Sequence, residues 1–327
     1  MRRREFITLI GGAAAAAWPV AALAQKPKML LVGYVGIASR EDAPDWFAGF
    51  RAGLKEGGFI EGQNITIEYR PTKDQFNRFP EFAADLVRSG VDVIFASDNA
   101  GSLAAKAATG TIPIVFAIGG DPVALGLVAS LNRPGGNITG VSFLSTAITA
   151  KRLELLHELV PHAAVVGALI NPTNTNAAAD TRELKHAART LGLQLHVLNA
   201  TSETEIDDAL SRLVQLSAGA LVIEGDALFA GLHTQLVAMV ARRRIPAIYP
   251  NPANARAGGL MTYGASLPDA YRIAGVYVGR ILKGDRPGDL PVQQVTKVEM
   301  IINLMTAKAF GLTIPPTLLA RADEVIE

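Results

Sequence analysis

Hydrogen-bonding side chains gather at a few points of this chain, and each cluster follows a short apolar run. The densest is Asn171-Pro172-Thr173-Asn174-Thr175-Asn176, directly behind the run 164–170. It opens an alanine-rich stretch that reads as a helix, and helix N-termini favour an anion through their unpaired N–H groups. Asn171, Thr173, Asn174 and Asn176 are therefore the leading candidates for holding a small polar ligand. The same residue types also serve as plain turns and caps. Ser97-Asp98-Asn99 and Gly119-Gly120-Asp121-Pro122 repeat the arrangement. Asp98 or Asn99 can cap a helix or present its backbone to a carboxylate. Gly120 would let backbone approach a ligand closely. Asp121 can accept from an ammonium group, or cap a helix in which Pro122 takes the first position. Ser39 and Asp226 follow two further runs, with Phe229 one turn beyond Asp226. Tyr249 and Tyr263 stand at the ends of two more, and with Phe229 they could sandwich an apolar ligand body.

Catalytic constellations do not assemble. His157-Glu158 and His162 approximate a metalloprotease pattern, but the second histidine falls at i+5 and Pro161 intervenes. Two such ligands would not share a helical face. No G-x-S-x-G nucleophile elbow occurs, and no glycine fingerprint for a dinucleotide or phosphate loop. The chain has no cysteine, which removes thiolate nucleophiles, disulfides and Cys-based zinc sites. The expectation is a non-enzyme without metal or cofactor.

The elements that must position these clusters alternate in type. Met29-Leu30-Leu31-Val32-Gly33-Tyr34-Val35 is a continuous apolar run, as a strand buried on both faces requires. Residues 44–57 follow with Trp46, Phe50 and Leu54 at helical spacing. Four to five such strand–helix units precede the turn-rich Asn132-Arg133-Pro134-Gly135-Gly136-Asn137, and a similar series follows it. Repeated units of this kind specify parallel sheets flanked by helices. Two successive sets predict two doubly wound parallel-sheet lobes, with ligands at the carboxyl ends of the strands, in the cleft between lobes.

The first 24 residues differ in kind. Arg2-Arg3-Arg4 precedes a nearly uncharged run ending Ala22-Leu23-Ala24. This predicts a signal peptide cleaved before Gln25, and Arg3-Arg4-Glu5-Phe6-Ile7 fits the twin-arginine export pattern. Pro19 and the alanine-rich composition disfavour a membrane anchor, which needs roughly 20 strongly apolar residues. A lipid-modified processing site would need a cysteine. Without residues 1–24 the chain keeps 28 basic and 29 acidic residues, a balance that argues against nucleic acid or an anionic membrane as partner.

From Gly33 onward the sequence resembles the ABC-transporter substrate-binding family that includes tryptophan- and aromatic-amino-acid-binding receptors. The resemblance rests on Gly62-Gln63-Asn64-Ile65, on Thr111-Ile112-Pro113-Ile114-Val115-Phe116, and on Pro134-Gly135-Gly136-Asn137-Ile138-Thr139-Gly140. It continues through Asp121-Pro122-Val123, Tyr263-Gly264-Ala265-Ser266, Arg280-Ile281-Leu282-Lys283-Gly284 and Gly311-Leu312-Thr313-Ile314-Pro315-Pro316. Some relatives with aromatic-amino-acid ligands carry an Asn-Ser step where this chain has Asn174-Thr175 and Asn176.

The resemblance implies a type I periplasmic-binding-protein fold, with the lobes joined by three crossover hinge segments. These are expected near residues 140–145, at Ala257-Gly258-Gly259, and between Gly288 and Val295. One lobe would then comprise 25–142 plus 259–290, and the other 143–258 plus 291–327. It also implies a soluble, monomeric periplasmic receptor that closes on a small solute and presents it to an ABC permease and ATPase. An amino acid or aromatic carboxylate is the favoured solute. A ligand sensor feeding a signalling receptor is the alternative reading, and a secreted enzyme on the same fold is a more distant one.

Overall fold

The computed structural model describes residues 29–72, 75–143 and 145–327. The expected signal peptide lies outside the described residues. Two α/β lobes are present. The first holds a six-stranded sheet of β1 (Leu30–Gly36), β2 (Ile65–Pro71), β3 (Val93–Ser97), β4 (Ile114–Ile118), β5 (Ile138–Ser142) and β11 (Gln293–Gln294). Its order is β11-β5-β4-β3-β1-β2, and every pairing is parallel. All residues of β3 and β4 are buried, as strands covered on both faces must be. Val32, Tyr34, Val93 and Phe95 point to one face, which packs on helices α1 (Pro44–Glu56) and α10 (Leu267–Leu282). The alternate residues Val35, Ile94 and Ala96 point to the other, covered by α2 (Phe79–Arg88) and α3 (Asn99–Ala108).

The α1–α10 pair is packed backbone to backbone. A Cβ on Gly53 would lie 1.9 Å from the carbonyl oxygen of Arg272, and one on Gly275 would lie 2.2 Å from that of Phe50. Only glycine permits that approach.

The second lobe is built on seven strands in the order β13-β12-β10-β9-β8-β6-β7. They are β6 (Val165–Ile170), β7 (Gln194–Asn199), β8 (Ala220–Ile223), β9 (Ala247–Tyr249), β10 (Met261–Ala265), β12 (Val298–Asn303) and β13 (Glu324–Ile326). Only the β10–β12 pairing is antiparallel. Helices α4 (Ser145–Leu159) and α5 (Ala177–Leu191) cover one face. The other is covered by α6 (Glu203–Gln215) and α8 (His233–Arg242). The short α7 (Ala227–Gly231) and α9 (Pro252–Arg256) follow β8 and β9. Helices α11 (Leu304–Phe310) and α12 (Pro316–Leu319) complete the tail.

The chain passes between lobes three times: between β5 and α4, between β10 and α10, and between β11 and β12. Two boundaries differ from the expectation. The glycine turn at 257–259 does not cross: Gly259 N–H donates to the Asn254 carbonyl at 2.8 Å and ends α9. Residues 261–265 therefore stay in the second lobe as β10, held between β9 and β12. Residues 291–295 stay in the first, where Gln293 and Gln294 pair with β5 and Val295 N–H donates to the Ser142 carbonyl. In both cases backbone pairing, which glycine and proline spacing does not report, decides the lobe.

Candidate functional site

A cavity of about 320 Å³ lies between the lobes at the carboxyl ends of β3, β6, β8, β9 and β10. Eight of the residues singled out in the sequence line it: Asp98, Asn99, Asn171, Thr173, Asn174, Asn176, Asp226 and Phe229. The second-lobe members form one hydrogen-bonded unit. Asn171 Nδ2 donates to Asp226 Oδ1 at 3.0 Å, and Asn174 Nδ2 donates to Asp226 Oδ2 at 2.8 Å. Leu228 N–H also donates to Asp226 Oδ1, capping α7. Thr173 N–H and Oγ1 both donate to Asn171 Oδ1, and Asn176 N–H donates to Asn174 Oδ1. Asp226 thus organises the loop after β6 with both of its oxygens.

On the first-lobe side, Asp98 caps α3 by accepting from Gly101 N–H at 2.6 Å. Its backbone stands at φ 128°, a region almost restricted to glycine. Although the residue is only partly buried, its Oδ2 is enclosed and meets no hydrogen-bond donor among the described residues. Burial pushes the carboxyl up to about 8, against the opposing pull of backbone N–H groups of Gly101, Ala100 and Ile37. Beside it, Tyr34 Oη and Ser97 Oγ are 2.7 Å apart, and Tyr34 donates to the Ala38 carbonyl. The Tyr271 hydroxyl, pushed up to about 12 chiefly by burial, joins this group.

Five expected residues do not line the cavity. Ser39 is buried and bonds to Asp42, turning the chain into α1. Asp121 is exposed and accepts from Val123 and Ala124 N–H groups in its own turn. Tyr249 is buried in the second-lobe core, where burial raises its hydroxyl well above the ordinary range. Tyr263 is half-buried and packs against that lobe's other core face. Gly120 stands behind the wall, donating its N–H to Asn99 Oδ1 at 3.2 Å. A Cβ there would come within 2.9 Å of Asn99 Nδ2 and 3.0 Å of Asn176 Oδ1.

The aromatic wall comes instead from Trp46, Phe79, Phe143 and Tyr271, together with Phe229. Trp46 and Tyr271 lean on each other with ring centroids 5.6 Å apart. Trp46 reads in the sequence as a member of a helical apolar face, and nothing local marks it or Phe79 as a cavity residue. Arg152 also lines the cavity, although its side chain is fully buried. Its Nη2 lies 3.0 Å from Glu224 Oε2 and donates to Thr149 Oγ1, while Nη1 donates to the Ile223 carbonyl. This pair fastens α4 to the end of β8, just below Gly225 and Asp226.

The lobes also touch each other across the cavity. Asn99 Nδ2 donates to Thr175 Oγ1 at 2.7 Å and to Asn176 Oδ1 at 3.3 Å. The arrangement is therefore a closed one.

Comparison with known proteins agrees with this architecture. Residues 37–326 match a family model described as ABC transporter substrate binding protein. A tyrosine-binding protein of Clostridioides difficile is 29% identical over 265 residues, which cover 81% of this chain and 76% of that protein. The ABC domain from Streptococcus pneumoniae in complex with L-Trp superposes with a TM-score of 0.82 at 25% identity, covering 91% of this chain and 100% of that one. The ligand-free, open structure of a substrate binding protein with adhesive properties from Clostridium difficile gives 0.67 at 27% identity, covering 91% and 99%. At nearly equal identity, the closer likeness is to the complex, in keeping with the contact between Asn99 and Thr175.

Proposed function

Because the chain belongs to the ABC transporter substrate binding protein family, we propose that it is the periplasmic receptor of an ABC-type importer and that its solute is an aromatic amino acid. The carrying observation is the cavity itself: aromatic rings of Trp46, Phe79, Phe143, Phe229 and Tyr271 facing a knot of amides and hydroxyls at the β6 and β8 ends. Its volume is at the lower end of the roughly 300–1,000 Å³ usual for small-molecule sites, which suits one amino acid. The ring of the solute would stack in the aromatic wall. Its carboxylate would face the start of α5, where Asn176 makes no side-chain cap to the helix N–H groups. No covalent step is involved: solute contacts to both lobes shift the population towards closure. Residues 1–24 would direct export and be removed, and the mature monomer would deliver its solute to a permease and ATPase. The tyrosine-binding relative and the L-Trp complex support the choice of solute.

Trp18 and Trp46 are the two tryptophans of the chain, so a protein beginning at Gln25 has Trp46 as its single fluorophore of that type. Titration with L-tyrosine should change Trp46 emission. Saturating L-tyrosine or L-tryptophan, at about 100 times Kd, should stabilise the protein by about 2.7 kcal/mol. If neither raises the melting temperature while an unrelated solute does, the proposed solute class is wrong. Cell fractionation of the full chain tests export, and retention of the precursor in the cytoplasm would remove that part of the reading.

A further inference from the structure

The lobes of this protein meet on both flanks of the cleft through contacts between their own side chains. On the flank carrying α2 and α3, the Asn99 amide is fully engaged in the closed form. Its Oδ1 accepts from Gly120 N–H, and its Nδ2 reaches Thr175 Oγ1 and Asn176 Oδ1 in the other lobe. Gly120 has no side chain to obstruct this reach. The flank carrying α1 and α10 holds a second contact, between Asp45 at the start of α1 and Arg256 at the end of α9. Arg256 Nη1 lies 3.8 Å from Asp45 Oδ2 in the first lobe, while its Nη2 lies 3.3 Å from Glu324 Oε2 in its own lobe. Glu324 would hold the guanidinium in place when the lobes part, ready to meet Asp45 again. Neither Asp45 nor Arg256 lines the cavity.

We propose that these two clasps keep a fraction of the solute-free protein closed, and that the Asp45–Arg256 clasp, which lies off the cavity, so sets affinity without touching the solute. Apparent affinity scales with the fraction of free protein already in the binding-competent state. A clasp off the cavity therefore changes affinity for every solute by the same factor, whereas a cavity contact changes it differently for each. The neutral bonds of Asn99 should be worth about fivefold in the closed-to-open ratio. The exposed Asp45–Arg256 pair should be worth about twofold and should weaken as salt is raised.

The chain has no cysteine, so spin labels can be placed uniquely at Val123→Cys in the first lobe and Glu183→Cys in the second, both exposed positions. Interlobe distances measured without solute should show a closed population. Thr175→Val should deplete it about fivefold, and Asp45→Asn or Arg256→Gln about twofold. Asp45→Asn and Arg256→Gln, both off the cavity, should weaken L-tyrosine and L-tryptophan binding by equal factors. A solute-free protein that is entirely open, or variants that leave its closed fraction unchanged, would overturn the proposal. Because Asp45→Asn and Arg256→Gln alter only exposed side chains, at least one informative variant should fold. The distance readout uses no solute, so failure of the aromatic-amino-acid reading is registered separately, by the binding measurements.

Discussion

Asn174 and Asp226, 52 residues apart in sequence, meet at 2.8 Å where the β6 and β8 ends converge. The contact turns two neighbouring strand-end loops into one rigid wall of the cavity. Asp226 spends both oxygens on Asn171, Asn174 and Leu228, so its task is to orient the amides, and a solute ammonium would compete with three existing bonds. Asp226→Ala is expected to weaken aromatic-amino-acid binding at least tenfold, measured by calorimetric titration. Stability should fall by about 1 kcal/mol, the usual loss for a helix cap. Unchanged affinity would show that the amide loop is positioned without it.

Arg152 is enclosed with Glu224 and Thr149 beneath the same loop. Removing one member of a buried pair leaves an uncompensated charge. Arg152→Met should therefore cost about 3–5 kcal/mol in denaturant unfolding. The double variant Arg152→Met with Glu224→Leu should recover most of that loss, because the isolated carboxylate is then gone.

The close approach of α1 and α10 makes a contrasting prediction from two glycines. Gly53→Ala places a methyl 1.9 Å from the Arg272 carbonyl oxygen, and the helices must separate at a cost of about 1–3 kcal/mol. At Gly110 an added methyl meets nothing within 4 Å, so Gly110→Ala should not lower stability. Paired urea melts compare the two directly.

Asp98 should make stability fall as pH rises. Its carboxyl is lifted from an ordinary 3.8 to about 8 in the folded chain. Between those values the folded state binds the proton and the unfolded state does not, so stability declines across the interval. The contribution is complete below about pH 4 and lost as pH passes 8. Asp98→Asn removes this titration while keeping a capping oxygen. The stability of the variant relative to the parent protein should therefore improve steadily from pH 4 to pH 8. A difference independent of pH would show that Asp98 ionises normally.

The two-lobe α/β architecture was legible because buried parallel strands and their covering helices leave different periodicities in the sequence. The cluster from Asn171 to Asn176 was legible for a related reason. Polar residues directly after an apolar run have one place to go, the carboxyl edge of the sheet, and that edge faces the cleft. Ser39 and Asp121 obey the same rule yet serve their own turns, since a hydroxyl or carboxylate satisfied within three residues has no reason to reach further. Tyr249 ends a strand with its ring turned into the second-lobe core. Which way a side chain points from the last strand position depends on register, and register belongs to the sheet.

Sequence alone therefore determined the alternation of strands and helices, the number of lobes and the polar loops at the strand ends, because each is encoded over short stretches of chain. Tertiary structure decided the lobe of β10, the aromatic wall and the clasps between lobes. Trp46, Phe79 and Tyr271 come from three separate helices and Phe143 from the segment after β5, and Asn99 meets Thr175 across 76 positions. Such meetings follow from how sheets pair and lobes close, and no local pattern of residues records them.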